Sequence, residues 1–253
     1  MALLREVLIV GAVVHRPAEP WTPTVHSLLR HLLDAGLPVP EPLGTDGRVE
    51  RVRLVAGDAG QDCWRHQLAL SGVASAGRLL RRVHDASRTW RPPADAVWAV
   101  PAEPAALPAQ PVVVCHGDPQ PANLAWSGGA AVGIFDWDSA RPAPALSDVA
   151  YALEWLTPFE DDPAELARRG FAGEPPRRER VRAFLDGYGW EGRLDVVEAV
   201  VRRQQRVIDE VVHLGRAGHE PHATWVAQGW PARWRSKLHT TRRLGDEVGE
   251  IDL

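Results

Sequence analysis

Residues 111–138, PVVVCHGDPQPANLAWSGGAAVGIFDWD, constrain the fold more than any other part of this 253-residue chain. The apolar, β-branched run Val112–Val114 predicts a buried strand. The prolines of the DPQPAN segment that follows exclude a helix or a central strand there. Two further apolar runs, Leu124–Trp126 and Ala131–Phe135, flank a Ser-Gly-Gly turn and predict a hairpin. The segment is therefore a strand, a loop and a hairpin in succession.

Four polar side chains lie where these predicted strands end: Asp118, Asn123, Asp136 and Asp138. Their oxygens suit Mg²⁺, which prefers one or two carboxylates together with phosphate oxygens of a substrate. A carboxylate that does not bind the metal can orient a hydroxyl nucleophile, and phosphoryl transfer needs both functions. The spacing D-x-x-x-x-N, followed by a hairpin and a further aspartate, is typical of a kinase catalytic loop and metal loop.

The motif CHGDPQPANLAW, followed by GIFDWDSARPAPALSDVAYALEWLTPF, resembles the aminoglycoside phosphotransferase and choline kinase superfamily. The match extends over roughly residues 20–160 and is most specific around the aspartates. The resemblance implies that Asp118 is the catalytic aspartate and that Asn123 and Asp136 bind Mg²⁺. It also implies ATP or GTP as the phosphate donor.

The resemblance assigns supporting roles to three more residues. His116 is expected to brace the catalytic loop through hydrogen bonds, and Asp148 to anchor that loop from the helix that follows. Asp138 matches a second aspartate that is common in the family.

The same resemblance predicts an α+β, protein-kinase-like bilobal fold. We expect a reduced N-terminal nucleotide-binding lobe at residues 1–57 and a mainly helical C-terminal lobe at residues 58–253. Within the small lobe, residues 6–16 predict two strands that turn at Gly11, and Thr22–Gly36 predicts an amphipathic helix. Residues 48–55 alternate charged and apolar side chains and predict a third strand.

The family's phosphate-contacting lysine would lie near residues 13–16, but Lys237 is the only lysine of the chain. Arg16 is the best substitute, with His15 second. The helix at Thr22–Gly36 contains no glutamate to pair with it, and a single glycine lies where a glycine-rich loop would contain several. We therefore expect Arg16 to lie at a strand end outside the core, to contact phosphate without a helix partner, and to bind nucleotide weakly.

Composition limits the partners and the setting of the chain. A net charge of −4 and a calculated pI of about 6.2 give no indication of nucleic-acid binding. No apolar run approaches the roughly 18 residues of a membrane span. Two cysteines cannot form a disulfide framework, so a reduced cytoplasmic setting is expected. The oligomeric state is left open.

The leading functional prediction is transfer of the γ-phosphate of ATP or GTP to a hydroxyl group of a small molecule. An acidic segment at Asp161, Asp162 and Glu165 would attract a cationic acceptor, although a solvated loop and helix start is the favoured interpretation. The main alternative is a catalytically weakened, non-enzymatic protein that binds a small molecule or partner. A phosphoesterase is a third option, which the absence of a second histidine-rich metal motif disfavours.

Overall fold

The N-terminal part of the computed structural model is a four-stranded antiparallel sheet with one helix. Residues 7–104, 112–249 and 251–252 are described. The strands are β1 (Leu8–Val10), β2 (Val13–Pro17), β3 (Pro42–Thr45) and β4 (Val49–Arg53), in the spatial order β1-β2-β4-β3. The β1–β2 turn contains Gly11, whose φ of 60° a side chain would disfavour. The predicted hairpin and third strand are present, and β3 is a strand that the sequence pattern did not predict.

Helix α1 (Thr22–Asp34) connects β2 to β3. Its buried face carries Val25, Leu28, Leu29 and Leu32, which are at most 2% exposed. This spacing places all four side chains on one stripe of the helix. They join the main hydrophobic core together with residues of the C-terminal helices and the central hairpin. The helix is therefore packed against the C-terminal part of the protein as well as the sheet.

The C-terminal part is mainly helical and carries three short strand pairs. Its helices are α2 (Leu70–Ser87), α3 (Ala145–Leu156), α4 (Pro163–Arg168), α5 (Arg177–Tyr188), α6 (Val196–Arg216), α7 (His222–Ala227) and α8 (Trp230–Gly245). Its strands are β5 (Val112–Cys115), β6 (Leu124–Ser127), β7 (Ala130–Ile134), β8 (Arg141–Pro144), β9 (Arg193–Leu194) and β10 (Ile251–Asp252). β5 pairs with β8, β6 with β7 and β9 with β10, all antiparallel. This arrangement confirms the predicted kinase-like α+β fold class.

The strand pairs bring the polar residues of the central segment together. The β6–β7 hairpin turns at Gly128 and Gly129, which both have positive φ, as the Ser-Gly-Gly turn predicted. The backbone N–H of Phe135 donates to the carbonyl of Asn123 at 3.0 Å. The loop before β6 is thereby fixed beside the chain that leaves β7.

Several local predictions were incomplete. Strand β8 and helix α7 were not predicted. The sequence predicts a helix from Leu146 to Trp155 with Ser147 as its cap. Helix α3 begins at Ala145, so Ser147 lies inside its first turn, and the helix has no side-chain cap. Residues 54–59 connect β4 to a 3₁₀ segment at Gly60–Gln67, and the division of the chain at residue 57 stays a prediction.

The proline-rich residues 91–111 are predicted to form an extended connector. Its last part, residues 105–111, lies outside the described residues, as do residues 1–6 of the predicted N-terminal lobe. In the described part of the chain, none of the helices has the length and apolar character needed to cross a membrane.

Candidate active site

The loop between β5 and β6 holds Asp118 half-buried, with its carboxylate fixed by two amide side chains. Gln120 Nε2 donates to both carboxylate oxygens at 3.1 Å. Asn123 Nδ2 donates to Asp118 Oδ2 and to the Asp118 carbonyl, each at 2.9 Å. Burial raises the pKa of Asp118, while a hydrogen bond from Tyr151 lowers it and the charge of Asp136 raises it further. A carboxylate with a raised pKa is a better proton acceptor than an ordinary aspartate.

Both ring nitrogens of His116 form hydrogen bonds that fix the same loop. Its Nε2 donates to the carbonyl of Phe135 at 2.9 Å, and its Nδ1 accepts from the backbone N–H of Asp118 at 3.3 Å. A carbonyl can only accept, so this pattern requires the proton on Nε2 and a lone pair on Nδ1. The imidazole thus joins the catalytic loop to the end of β7.

Asp148, in the first turn of α3, is fully buried and accepts three hydrogen bonds. Oδ2 accepts from the backbone N–H of His116 at 2.6 Å and from His84 Nε2 at 3.1 Å, and Oδ1 accepts from the backbone N–H of Gly117 at 2.9 Å. Burial alone would raise the pKa of Asp148, but these bonds and the neighbouring histidines lower it to about 2. Two of the three donors belong to the catalytic loop, so this carboxylate fixes the loop to α3.

His84, Cys115 and Asp148 form a buried cluster with metal-ligand side chains, but their polar atoms are already engaged. His84 also bonds the Tyr188 hydroxyl at 2.8 Å, and the Cys115 thiol lies 3.4 Å from the carbonyl of Pro144. Burial raises the pKa of the Cys115 thiol well above its usual range. We interpret the cluster as a structural brace, because a metal would require that thiol to ionise.

Asp136 follows β7 and has φ 66° and ψ 67°; among the described residues it is the only non-glycine with a positive φ. Such a conformation is costly, and residues held in it are common at functional sites. The carboxylate is about half exposed (49%). Because the Asn123 amide nitrogen donates to Asp118, its oxygen is the atom left to face a cation. Asp136 and Asn123 therefore provide the hard oxygen donors that suit Mg²⁺.

Arg16, on β2, connects the N-terminal sheet to this region. Nη1 lies 3.0 Å from Asp136 Oδ1, and Nη2 lies 3.2 Å from Asp138 Oδ1. Nε donates to Glu50 Oε2 at 2.7 Å. Arg16 and Glu50 are directly paired across β2 and β4, and His26 Nε2 of α1 lies 2.9 Å from Glu50 Oε1. Burial raises the pKa of Glu50, but the hydrogen bond from His26 and the charge of Arg16 outweigh it and lower the pKa.

The geometry adds two details to the sequence expectation for Arg16. Arg16 is the next-to-last residue of β2, in agreement with the expected strand-end position, but its side chain is only 14% exposed. It also has a carboxylate partner in its own lobe, supplied by strand β4 instead of the helix. The helix contributes His26 to the same carboxylate, so the expected helix glutamate is replaced by a strand glutamate and a helix histidine.

A second group of residues supports the catalytic loop from α6. Arg203 Nη2 donates to the carbonyl of Gly117 at 2.8 Å, and its guanidinium lies 4.9 Å from the centre of the Tyr151 ring. Glu210 lies 3.3 Å from Arg203 Nη1 and 2.7 Å from Arg141 Nη2. Burial raises the pKa of Tyr151 well above its usual range, and the charge of Asp118 raises it further. The Tyr151 hydroxyl thus remains protonated and can donate to Asp118.

Asp118 and Tyr151 line a pocket of about 390 Å³ in the helical part of the protein. The other walls come from α3, α6, α7 and α8 and include Trp155, Trp225 and Trp234. Small-molecule sites commonly have volumes of about 300–1,000 Å³. The pocket therefore places space for a small molecule directly beside the candidate catalytic carboxylate.

The acidic segment beyond α3 has local partners. Asp161 pairs with Arg243, and the Asp162 side chain accepts from the backbone N–H of Ala164 at 2.9 Å to cap α4. Glu165 pairs with Arg168 at 2.8 Å. None of the three lines the pocket, which agrees with the interpretation of a solvated helix start.

Sequence reasoning singled out residues of the Asp118 loop and the hairpin but did not single out Glu50, His26, Tyr151 or Arg203. Three weak signals were available. Glu50 occupies an inward position of an alternating strand, and His26 lies on the buried face of an otherwise apolar helix. Tyr151 follows Asp148 by three positions on α3 and so shares its face. No sequence signal indicates that Arg203 reaches the catalytic loop from α6.

The small antiparallel sheet, the helical C-terminal part and the Asp118 loop between them define a protein-kinase-like fold. The sequence profile of the phosphotransferase enzyme family matches residues 13–98 and 92–184, which together exceed half of the chain. The chain therefore belongs to this phosphotransferase family, which confirms the resemblance read from the HGD and DWD motifs.

Named relatives agree with this assignment. The trifolitoxin immunity protein of Rhizobium leguminosarum bv. trifolii is 35% identical over 187 residues, covering 71% of this chain and 68% of that protein. A microcompartment-associated aminopropanol kinase has a similar structure, with a TM-score of 0.59, 14% identity and coverage of 98% and 92% of the two chains. A choline/ethanolamine kinase family protein from Mesorhizobium loti gives a TM-score of 0.54, 19% identity and coverage of 98% and 91%.

An aminoglycoside 2'-phosphotransferase-IIIa in complex with GDP gives a TM-score of 0.55, 14% identity and coverage of 98% and 90%. At such low identities these structural likenesses establish the fold alone.

Proposed function

We propose that this protein transfers the γ-phosphate of ATP or GTP to a hydroxyl group of a small molecule bound in the pocket beside Asp118. One observation carries the proposal. The half-buried carboxylate of Asp118, held by two amide side chains, lies at the wall of the pocket, within electrostatic reach of the strained, half-exposed Asp136. Phosphoryl transfer requires such a pair, one carboxylate for the acceptor hydroxyl and one for the metal.

In this reaction the acceptor hydroxyl oxygen forms a bond to the γ-phosphorus as the bond to the bridging oxygen of the nucleoside diphosphate breaks. Asp118 orients the hydroxyl and receives its proton. The hydrogen bonds from Gln120 and Asn123 fix the carboxylate in position, so that little reorganisation is needed during the reaction.

Asn123 and Asp136 are the proposed Mg²⁺ ligands, and the ion would neutralise the charge of the phosphate groups. Their donor set is all oxygen, which fits this metal. Arg16 would have to release Asp136 and Asp138 for the metal and the phosphates to approach. Its bond to Glu50 would hold the guanidinium nearby, where it can donate charge-assisted hydrogen bonds to phosphate.

The ion pairs of Arg16 also favour a second candidate function, a catalytically weakened binding protein of the same fold. In the structure the guanidinium lies against the carboxylate that should hold the metal. If this arrangement persists in the presence of MgATP and MgGTP, the pocket would bind a small molecule or partner without phosphate transfer.

The relative from R. leguminosarum is named for immunity to trifolitoxin. We therefore propose that the acceptor of this chain is a toxic compound and that the chain phosphorylates a hydroxyl group of that compound.

The test compares wild-type protein with Asp118→Asn. Thermal-shift measurements with Mg²⁺, MgATP and MgGTP report nucleotide binding, and radiolabelled γ-phosphate reports transfer to a panel of hydroxyl compounds. We expect nucleotide to stabilise both proteins against thermal unfolding. The rate of phosphate transfer by Asp118→Asn should be lower by a factor on the order of 10² or more.

Equal transfer by the two proteins would reject Asp118 as the catalytic residue. If neither nucleotide stabilises the wild-type protein and no compound in the panel is phosphorylated, the binding-protein function is favoured instead.

A further inference from the structure

We propose that the acceptor is an uncharged alcohol with a planar, apolar body, held between tryptophan side chains of the pocket. This inference rests on the proposed function for the identity of the pocket as the acceptor site. It concerns the chemistry of the pocket wall, which can be measured without any nucleotide.

The aromatic wall begins at the catalytic carboxylate. Tyr151, whose hydroxyl bonds Asp118, and Trp155 lie one turn apart on α3, with ring centres 6.5 Å apart. Trp225 and Trp234 line the pocket from α7 and α8, and their rings meet edge to face at 5.9 Å. All four side chains are only partly buried, so their rings keep accessible surface. Such surfaces bind flat apolar groups by stacking and edge contacts.

Apart from Asp118, the acidic side chains that line the pocket are already engaged by other side chains of the protein. Glu154 accepts a hydrogen bond from Gln204 at 3.0 Å, and burial raises its pKa, which favours its neutral form. Glu210 lies between two buried arginines and has no negative charge to spare for a ligand.

Positive charge is present on the same walls. The Arg169 guanidinium lies 4.8 Å from the centre of the Trp155 ring, and Lys237 also lines the pocket, 3.3 Å from Glu160. The cation-binding face of Trp155 is therefore already occupied by an arginine of the protein. An ammonium group entering the pocket would lie near the positive charge of Arg169, which repels it, and near Lys237, which is already paired with Glu160.

The test uses two alcohols of opposite character, 2-naphthylmethanol and choline. Ligand-observed NMR titration without nucleotide gives a dissociation constant for each. We expect wild-type protein to bind 2-naphthylmethanol and to bind choline at least tenfold more weakly. Trp225→Ala and Trp234→Ala should each weaken 2-naphthylmethanol binding by about two- to tenfold, the range expected for one aromatic contact.

Trp190→Ala is the matched control. Trp190 is also partly buried and packs on Tyr188, but it does not line the pocket. We expect it to change the affinity by less than twofold, and melting temperatures verify that each variant is folded. Tighter binding of choline, absence of 2-naphthylmethanol binding, or equal losses in Trp225→Ala and Trp190→Ala would each overturn the proposal.

A phosphate-transfer assay separates this inference from the proposed function. If 2-naphthylmethanol binds in a way that depends on the tryptophans but phosphate is transferred to no alcohol, the apolar binding pocket is supported and the kinase function is rejected. If phosphate is transferred to choline in preference to 2-naphthylmethanol, the kinase function is supported and the proposal of an uncharged, planar acceptor is rejected.

Discussion

Replacing Asp148 by asparagine should destabilise the protein strongly, because this carboxylate is fully buried and satisfies three donors. Asparagine keeps one acceptor oxygen but turns its NH₂ group toward at least one of these donors. A hydrogen bond to a charged group contributes about 1.5–3 kcal/mol, and an unsatisfied buried donor costs about 1–3 kcal/mol. We therefore expect the free energy of unfolding to fall by about 3–5 kcal/mol, the usual range when one partner of a buried charged network is lost.

The pKa of Asp148 gives an independent magnitude and a sign. Folding lowers this pKa from 3.8 to about 2, so the native state favours the ionised form. Each pKa unit is worth about 1.4 kcal/mol, which makes the ionised carboxylate worth on the order of 2 to 3 kcal/mol to the folded state. Because the folded-state value is the lower one, this contribution is complete above pH 4 and is lost as the pH falls toward 2. The difference in stability between wild type and Asp148→Asn should therefore shrink over that interval.

Urea denaturation followed by circular dichroism measures this difference at pH 7, 5, 4 and 3. The matched control is Asp186→Asn, which alters an exposed carboxylate on α5 and should change stability by less than about 0.5 kcal/mol. A loss below 1 kcal/mol for Asp148→Asn at pH 7, or a difference that grows as the solution is acidified, would refute the assignment of Asp148 as the ionised anchor of the catalytic loop.

Two further predictions concern the cleft side of the site. Asp136→Ala should weaken MgATP binding in calorimetric titrations more than Asp138→Ala does, because Asp136 has the strained backbone and the more exposed carboxylate; equal losses would reassign the metal ligand. Arg16→Ala should weaken nucleotide binding and also lower the free energy of unfolding by about 2–4 kcal/mol, because Glu50 would keep a buried charge and would lose its arginine, leaving His26 beside it. Unchanged stability in urea, or an unchanged nucleotide affinity, would contradict the role assigned to the Arg16–Glu50 pair.

The parts of the fold that the sequence could predict are those with strong local signals. α1 has a proline at its start, an apolar stripe and a terminal glycine, so its limits follow from neighbouring residues. The β6–β7 hairpin has two apolar runs around a Gly-Gly turn. By contrast, β8 has the sequence Arg-Pro-Ala-Pro, and it is a strand because β5 lies beside it, not because its residues favour one.

The same distinction applies to the site. Asp118, Asn123 and Asp136 lie within one short stretch of sequence, where spacing and strand pattern determine their proximity. Arg203 reaches Gly117 across 86 positions, and Tyr151 meets Asp118 only because Asp148 fixes the first turn of α3 beneath the loop. Such contacts depend on how helices pack, and the sequence pattern carries no direct record of that packing.

The surroundings of Arg16 differ from those that the sequence suggested. The sequence offered a cation on the expected strand and no glutamate on the following helix, and we expected an arginine without a helix partner that binds nucleotide weakly. In the structure the side chain of Arg16 has a carboxylate partner, because the residue directly opposite Arg16 in β4 is Glu50. A strand glutamate holds the arginine from the neighbouring strand, and His26 of α1 contacts the same carboxylate. The ion pair thus forms inside one sheet, so in this chain its geometry should depend less on the position of the helix than a strand-to-helix pair would.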